Sequence, residues 1–405
     1  MLVLLLNPDA TGNDITKRYH YRLTLSGKEN LKMHFLQKER ATLEKFLPTL
    51  DNRLQEKSFL DLEDKGSPAL QIFRELGGPG LLIPREYGGS GVTPLELAHI
   101  QRAVASRSPS LALAANMHHC TVIAFLDSLA DESVGEFVRA IAENNLYLAS
   151  GFSEGNRSAS ILAPTLTSQR VDGGLLVNGS KKPCSLSASM DFLTASVIVP
   201  SRSGDGQELA LAIIAADSPG IERKPFWNTW VLRGAESEEV ILKDVFVPEE
   251  FIFYLGKPED LGSIMARAFV WFELFVSASY LGAASALVER VIAERRGTPT
   301  ERALVAIEVE GAMASLEAVA HAIMLGWSSD SEIAQALFVR YSVQRSIERV
   351  VETSAELLGG LAFISSGEVA YLLAASRALA FHPPSRLSMA SYLDDYLAGG
   401  LLVMP

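Results

Sequence analysis

Apolar positions recur every three or four residues through LQKERATLEKFLPTLDNRLQEKS (36–58), the mark of an amphipathic helix. A Gly-rich turn in LIPREYGGSGVTPLELAHIQRAVASRS (82–108) precedes a second helical run, with Thr93 as its N-cap and Pro94 at its first position. SPSLALAANMHHCTVIAFLDSLA (108–130) is apolar nearly all round and predicts a buried helix. From residue 146 the pattern changes. LLVNGS, FLTASVIVP and ELALAIIAA are short runs of β-branched and aliphatic residues between Gly, Ser, Asp and Pro. VDGG offers a turn, and EEVILKDVFVP alternates as a half-buried strand does. From about Leu261 three runs of more than 20 residues return to helical spacing, joined by short loops that suit a bundle. The pattern predicts an α+β, mainly helical protein. It has a helical domain over 33–145, a central β domain or barrel over 146–255 and a C-terminal helical bundle over 256–405. Residues 1–32 fit none of these and are expected to be an extension of unknown role or a misplaced start.

Composition adds limits. With 48% apolar and 21% charged residues the chain reads as a well-buried globular protein, and 405 residues are too many for a single core. A net charge of -12 argues against nucleic acid as a partner. Cys120 and Cys184 cannot build a disulfide framework and lie in no metal-binding pattern, which suits a cytoplasmic protein. The opening MLVLLLNPDA is too short to cross a membrane and lacks the basic start of a signal peptide.

Ser153 and Ser185 stand at the ends of two expected strands, in GFSEGN and GSKKPCSLS. Taken alone they are ordinary turn serines. The surrounding order, with WNTWVLRGAESEEVILKDVFVPEE (227–250) and both helical flanks, resembles the acyl-CoA dehydrogenase family from about Leu70 to Leu397. The resemblance implies that family's fold, with a C-terminal four-helix bundle, FAD as cofactor and an acyl thioester as substrate. It implies flavin contacts from the Phe152-Ser153 turn and from Cys184-Ser185, where Pro183 replaces the family's flavin-shielding Trp. It also implies that Arg295, in IAERRG, and Gly359-Gly360 receive the adenylate half of FAD in a homodimer or homotetramer. Two glycines at a helix end let a phosphate approach backbone N–H groups, although a plain helix C-cap has the same composition. Glu356 replaces the family's Gln and is left out of the site.

α,β-Dehydrogenation needs a carboxylate facing the substrate opposite the flavin. The family's usual glutamate falls on Pro383, which can neither accept nor donate a proton. Two candidates remain. Glu273 lies in the very apolar AFVWFELFVSA, one residue beyond a second base position that falls on Phe272. His382, in ALAFHPPSR, resembles a His of the flavin-dependent monooxygenases built on the same fold. His118 and His119 lie on the buried helix, where at least one is expected to be a satisfied core histidine. The favoured reading is FAD-dependent oxidation of an acyl thioester carried on CoA or a carrier protein, with an electron-transfer partner or oxygen as acceptor. A monooxygenase on the same fold and a non-catalytic flavin or acyl-carrier binding protein are the alternatives.

Overall fold

The computed structural model describes residues 33–402 except 127, 128, 130, 156–163, 202–205, 257–261 and 327–329. The expected N-terminal extension over 1–32 lies outside the described residues. Among the described residues seven α-helices come first: α1 (Gln37–Phe46), α2 (Leu50–Gln55), α3 (Phe59–Glu63), α4 (Ala69–Glu75), α5 (Pro94–Ala105), α6 (Pro109–Leu126) and α7 (Glu132–Asn144). At the start of α5 Thr93 and Glu96 form a reciprocal capping box ahead of Pro94. Asp131 caps α7 through the Ser133 N–H. α6 has no polar face to give to solvent, and most of its side chains are buried.

Eight strands follow among the described residues: β1 (Leu148–Gly151), β2 (Thr167–Val171), β3 (Gly174–Cys184), β4 (Phe192–Pro200), β5 (Gln207–Ala215), β6 (Ile221–Lys224), β7 (Glu238–Pro248) and β8 (Ile252–Gly256). They form two four-stranded sheets, β1-β4-β5-β8 and β2-β3-β7-β6. β1 joins β4 in parallel, Leu148 opposite Phe192, and the other pairings are antiparallel. β4 and β5 are buried along most of their length, so they read as continuous apolar runs. β7 shows the alternation that its sequence carries.

Helices then close the chain: α8 (Gly262–Ala293), α9 (Pro299–Met324), α10 (Asp330–Leu358), α11 (Gly360–Ser365), α12 (Gly367–Ala375) and α13 (Arg386–Leu397). The order is the expected one: N-terminal helices, a middle sheet region and C-terminal helices. α8 is its axis. Residues Ala268–Ala293 are long and apolar enough to cross a membrane, yet 89% of that window is buried by protein. Gly282 permits the closest approach, since a Cβ there would lie 2.4 Å from the Arg102 carbonyl oxygen of α5. Buried Arg102 fastens the same region, donating to Glu39 (2.6 Å), Glu310 (2.6 Å) and Ser285 (3.0 Å) on α1, α9 and α8.

Candidate functional site

The ends of β1 and β3 are stitched together. The Lys182 N–H donates to the Ser153 carbonyl at 2.9 Å, and buried Lys181 pairs with Glu154 at 2.6 Å. Phe152 and Ser153 are half-buried on this junction. A register shift between Lys181 and Cys184 turns β3 into the segment that carries Ser185. Cys184 points into the core, and burial pushes its thiol up to about 12, so only its backbone is open to a polar ligand. The Ser185 hydroxyl is nearly buried and shares a 2.9 Å hydrogen bond with Ser237. Leu186 N–H donates to the Ala235 carbonyl, and Ser189 donates to the Glu236 carboxylate through its N–H and hydroxyl. The Ser185 turn is therefore held by the segment 235–237.

That segment is anchored in turn by a buried carboxylate that sequence reasoning missed. The Leu232 N–H donates to the Tyr371 hydroxyl at 2.6 Å, and Tyr371 donates to Glu63. Glu63 also accepts from the Ser108 hydroxyl (2.6 Å), the Ser110 hydroxyl (2.7 Å) and the Ser110 N–H (3.1 Å). Burial raises its carboxyl to about 7 against the pull of these donors. Nothing around Glu63 in the sequence distinguishes it from a surface glutamate.

Arg295 and Gly359-Gly360 lie near one another on the bundle. A Cβ on Gly297, two residues beyond Arg295, would lie 2.6 Å from Leu357 Cδ2, two residues before Gly359. Arg295 is exposed, Gly359 has φ of 85°, and a Cβ on either glycine would meet nothing within 4 Å. The pair of features forms an open corner with bare backbone and a cation.

At the other end of the bundle, Glu273 and Arg340 form a fully buried ion pair, each 1% exposed. Arg340 Nε lies 2.9 Å from Oε2, and Nη1 donates to Oε1 at 3.2 Å. Burial raises the Glu273 carboxyl while the Arg340 guanidinium opposes the shift. Arg340 then donates to three carbonyls of the next turn: Pro384 (2.7 Å), His382 (2.6 Å) and Leu379 (3.2 Å). His382 sits half-buried on this turn, its Nε2 2.9 Å from the Tyr280 hydroxyl and its ring tilted on Phe272. Burial, with Arg340 nearby, holds it well below the usual imidazole range, so it is neutral. Glu273 and His382 are thus neighbours through one arginine. Arg340 interrupts the apolar stretch ALFVRYSV, which was a readable signal; Tyr280 carried none.

His118 is a satisfied core residue. It accepts from the Leu148 N–H at 3.0 Å and meets the Pro79 carbonyl at 2.9 Å, so it ties α6 to β1. His119 is fully buried, packs edge-on against His118 and Phe73, and leaves both ring nitrogens without a partner. Cys120 donates to Asn116 Oδ1 at 3.3 Å, and the Glu273 charge adds to burial in raising its thiol. Asn116 Nδ2 and Trp271 Nε1 are buried donors with no partner. Orphan donors on packed helices α6 and α8 are what a bound polar heterocycle satisfies. A flavin ring, whose rim is a row of acceptors and donors, is a group of that kind. Among the described residues no group of three His, Cys, Asp or Glu side chains could hold a metal ion.

Residues 33–142 match the family model described as the N-terminal domain of acyl-CoA dehydrogenase. The isobutylamine N-hydroxylase of Streptomyces viridifaciens is 45% identical over 379 residues, covering 91% of this chain and all of that protein. The benzylmalonyl-CoA dehydrogenase of Aromatoleum aromaticum is 27% identical over 275 residues, covering 65% of this chain and 71% of its own. A dibenzothiophene monooxygenase from a Paenibacillus species, solved with FMN and indole, superposes with a TM-score of 0.78 at 18% identity. That match covers 91% of this chain and 98% of the other, and at such identity it speaks for the fold alone.

Proposed function

The chain belongs to the acyl-CoA dehydrogenase family of flavoproteins, and from that premise we propose that it is a flavin-dependent monooxygenase that N-hydroxylates a primary amine. One observation carries the reading: over nine-tenths of its length the chain is 45% identical to an amine N-hydroxylase. The site chemistry agrees with it. Thioester dehydrogenation needs an available carboxylate, but Pro383 occupies one family position and Phe272 the other. Glu273, beside Phe272, has both oxygens against Arg340.

A bound flavin supplies activated oxygen; the chain supplies the setting. The Phe152-Ser153 and Cys184-Ser185 turns would hold the flavin edge, with Asn116 and Trp271 as candidate further donors. N-Hydroxylation requires a free lone pair on nitrogen, whereas an alkylamine in water is an ammonium ion. Apolar surroundings disfavour that cation, through the same desolvation that keeps His382 neutral. His382 Nδ1 has no hydrogen-bond partner among the described residues and can accept an amine N–H. Tyr280 holds the opposite ring nitrogen.

FAD is the flavin we favour, because Arg295 and Gly359-Gly360 offer an adenylate and pyrophosphate corner that FMN would leave unused. A homo-oligomer belongs to the same proposal. Leu361, Ile364, Phe381 and Leu387 are large apolar residues more than three-quarters exposed on the C-terminal helices, a load one molecule rarely leaves in water.

The test is a reaction of purified protein with flavin, a flavin reductase, NADH, air and a panel of primary amines, read for hydroxylamine. Amine-dependent hydroxylamine is the expected result. Bleaching of bound flavin by acyl thioesters without reductase, with no hydroxylamine from any amine, would instead establish dehydrogenation. The partial likeness to benzylmalonyl-CoA dehydrogenase supports that second reading.

A further inference from the structure

We propose that Arg340, with Glu273 as its counterion, is a positioning residue that fixes His382 toward the substrate nitrogen. A buried salt bridge needs further hydrogen bonds for the donors and lone pairs that its two partners leave unmet. Here the guanidinium spends most of its donors on a single turn, meeting the carbonyls of Leu379, His382 and Pro384 within six residues. Tyr341, the next residue of α10, adds a fourth bond by donating to the Pro384 carbonyl at 2.9 Å. Three backbone carbonyls in a turn repel one another and need donors when water is excluded. One planar fork satisfies them together, and the Glu273 carboxylate balances its charge from α8.

The consequence falls on the imidazole. The His382 N–H donates to the Leu379 carbonyl at 3.3 Å, which holds the backbone of the turn but not the ring. The ring is placed by the Tyr280 hydroxyl at 2.9 Å, by Phe272, and by the clamped carbonyl beneath it. Tyr280 and Phe272 lie on α8 with Glu273, so the clamp fixes the turn and the two ring contacts relative to the same helix. The groups facing the ring are Tyr280 and Phe272 from α8 and the Arg340 cation from α10. A lysine at 340 would keep the charge and lose the fork.

The experiment compares Arg340→Lys and Tyr341→Phe with the unaltered full-length protein. The first readout is exchange of the imidazole C2 hydrogen with deuterium across pH, followed by mass spectrometry, which reports the titration of His382. It needs neither flavin nor turnover. The second is kcat and KM for hydroxylamine formation. The expected result for Arg340→Lys is a His382 titration moved up toward the ordinary range, with kcat lowered on the order of 10- to 100-fold and KM changed much less. Tyr341→Phe, which removes one bond and leaves the ion pair, should move both readouts the same way by a smaller factor. That milder variant decides the matter if Arg340→Lys fails to fold. An unchanged His382 titration, or a changed titration with an unchanged kcat, would overturn the proposal. The kinetic arm rests on the amine-hydroxylase reading. If no amine is hydroxylated, that reading falls, and the titration alone decides for or against the clamp.

Discussion

Glu63 and Tyr371, 308 residues apart in the chain, share a hydrogen bond at a point where all three parts of the fold meet. Glu63 belongs to the N-terminal helices and caps the start of α6 through Ser108 and Ser110. Tyr371 belongs to the C-terminal helices and accepts the Leu232 N–H from the sheet region. Edge contacts from Phe59 and Trp230 enclose the phenol.

This contact predicts a stability that depends on pH. The Glu63 carboxyl titrates near 7 in the folded chain and near 4.5 when unfolded. Between those values the folded state holds the proton more tightly, so this group's contribution falls as pH rises from about 4.5 to 7. Glu63→Gln mimics the protonated form. Its unfolding free energy relative to the unaltered protein should therefore rise between pH 5 and pH 8, by at most about 3 kcal/mol, and its melting temperature with it. A difference independent of pH would refute the shifted carboxyl.

Ser185 should matter to cofactor binding more than to folding. Its hydroxyl is shared with Ser237, so Ser185→Ala leaves the turn held by the Leu186, Ser187 and Ser189 bonds. Loss of one hydrogen bond to flavin corresponds to about 1 kcal/mol, or roughly fivefold in affinity. Fluorescence titration with flavin measures this. Unaltered affinity and spectrum would place the ring elsewhere.

Arg295→Ala separates the two flavins. If the adenylate half lies against the Arg295 and Gly359-Gly360 corner, FAD should bind more weakly and FMN as before. Calorimetry with each nucleotide checks it; parallel losses for both would remove the assignment of this corner.

Gly282→Ala should destabilise the chain by about 1–3 kcal/mol, because its Cβ would lie 2.4 Å from the Arg102 carbonyl and α5 cannot yield without disturbing the Glu39 and Glu310 bonds. Urea unfolding with a retained m-value is the measurement.

Local pattern was enough to place most elements, although the one helix expected over 36–58 is broken into α1 and α2. Strand alternation in EEVILKDVFVP, the Thr93-Pro94 start of α5 and the all-round apolarity of α6 are properties of neighbouring residues, and the folded chain keeps each of them. The turns that carry Ser153 and Ser185 were legible for the same reason, since both stand where strands must end. Partners across the fold were not legible. The sequence shows a lone glutamate in AFVWFELFVSA but not that Arg340, 67 positions on, meets it end to end. It shows His382 beside two prolines but not that a buried guanidinium grips the carbonyls of its turn. Glu63 looks like any helical glutamate until Ser108, Ser110 and Tyr371 converge on it. Spacing along the chain sets which residues share a face, because helix and strand periods are local. Which buried charge finds which partner depends on how distant faces dock, and only the tertiary structure decides that.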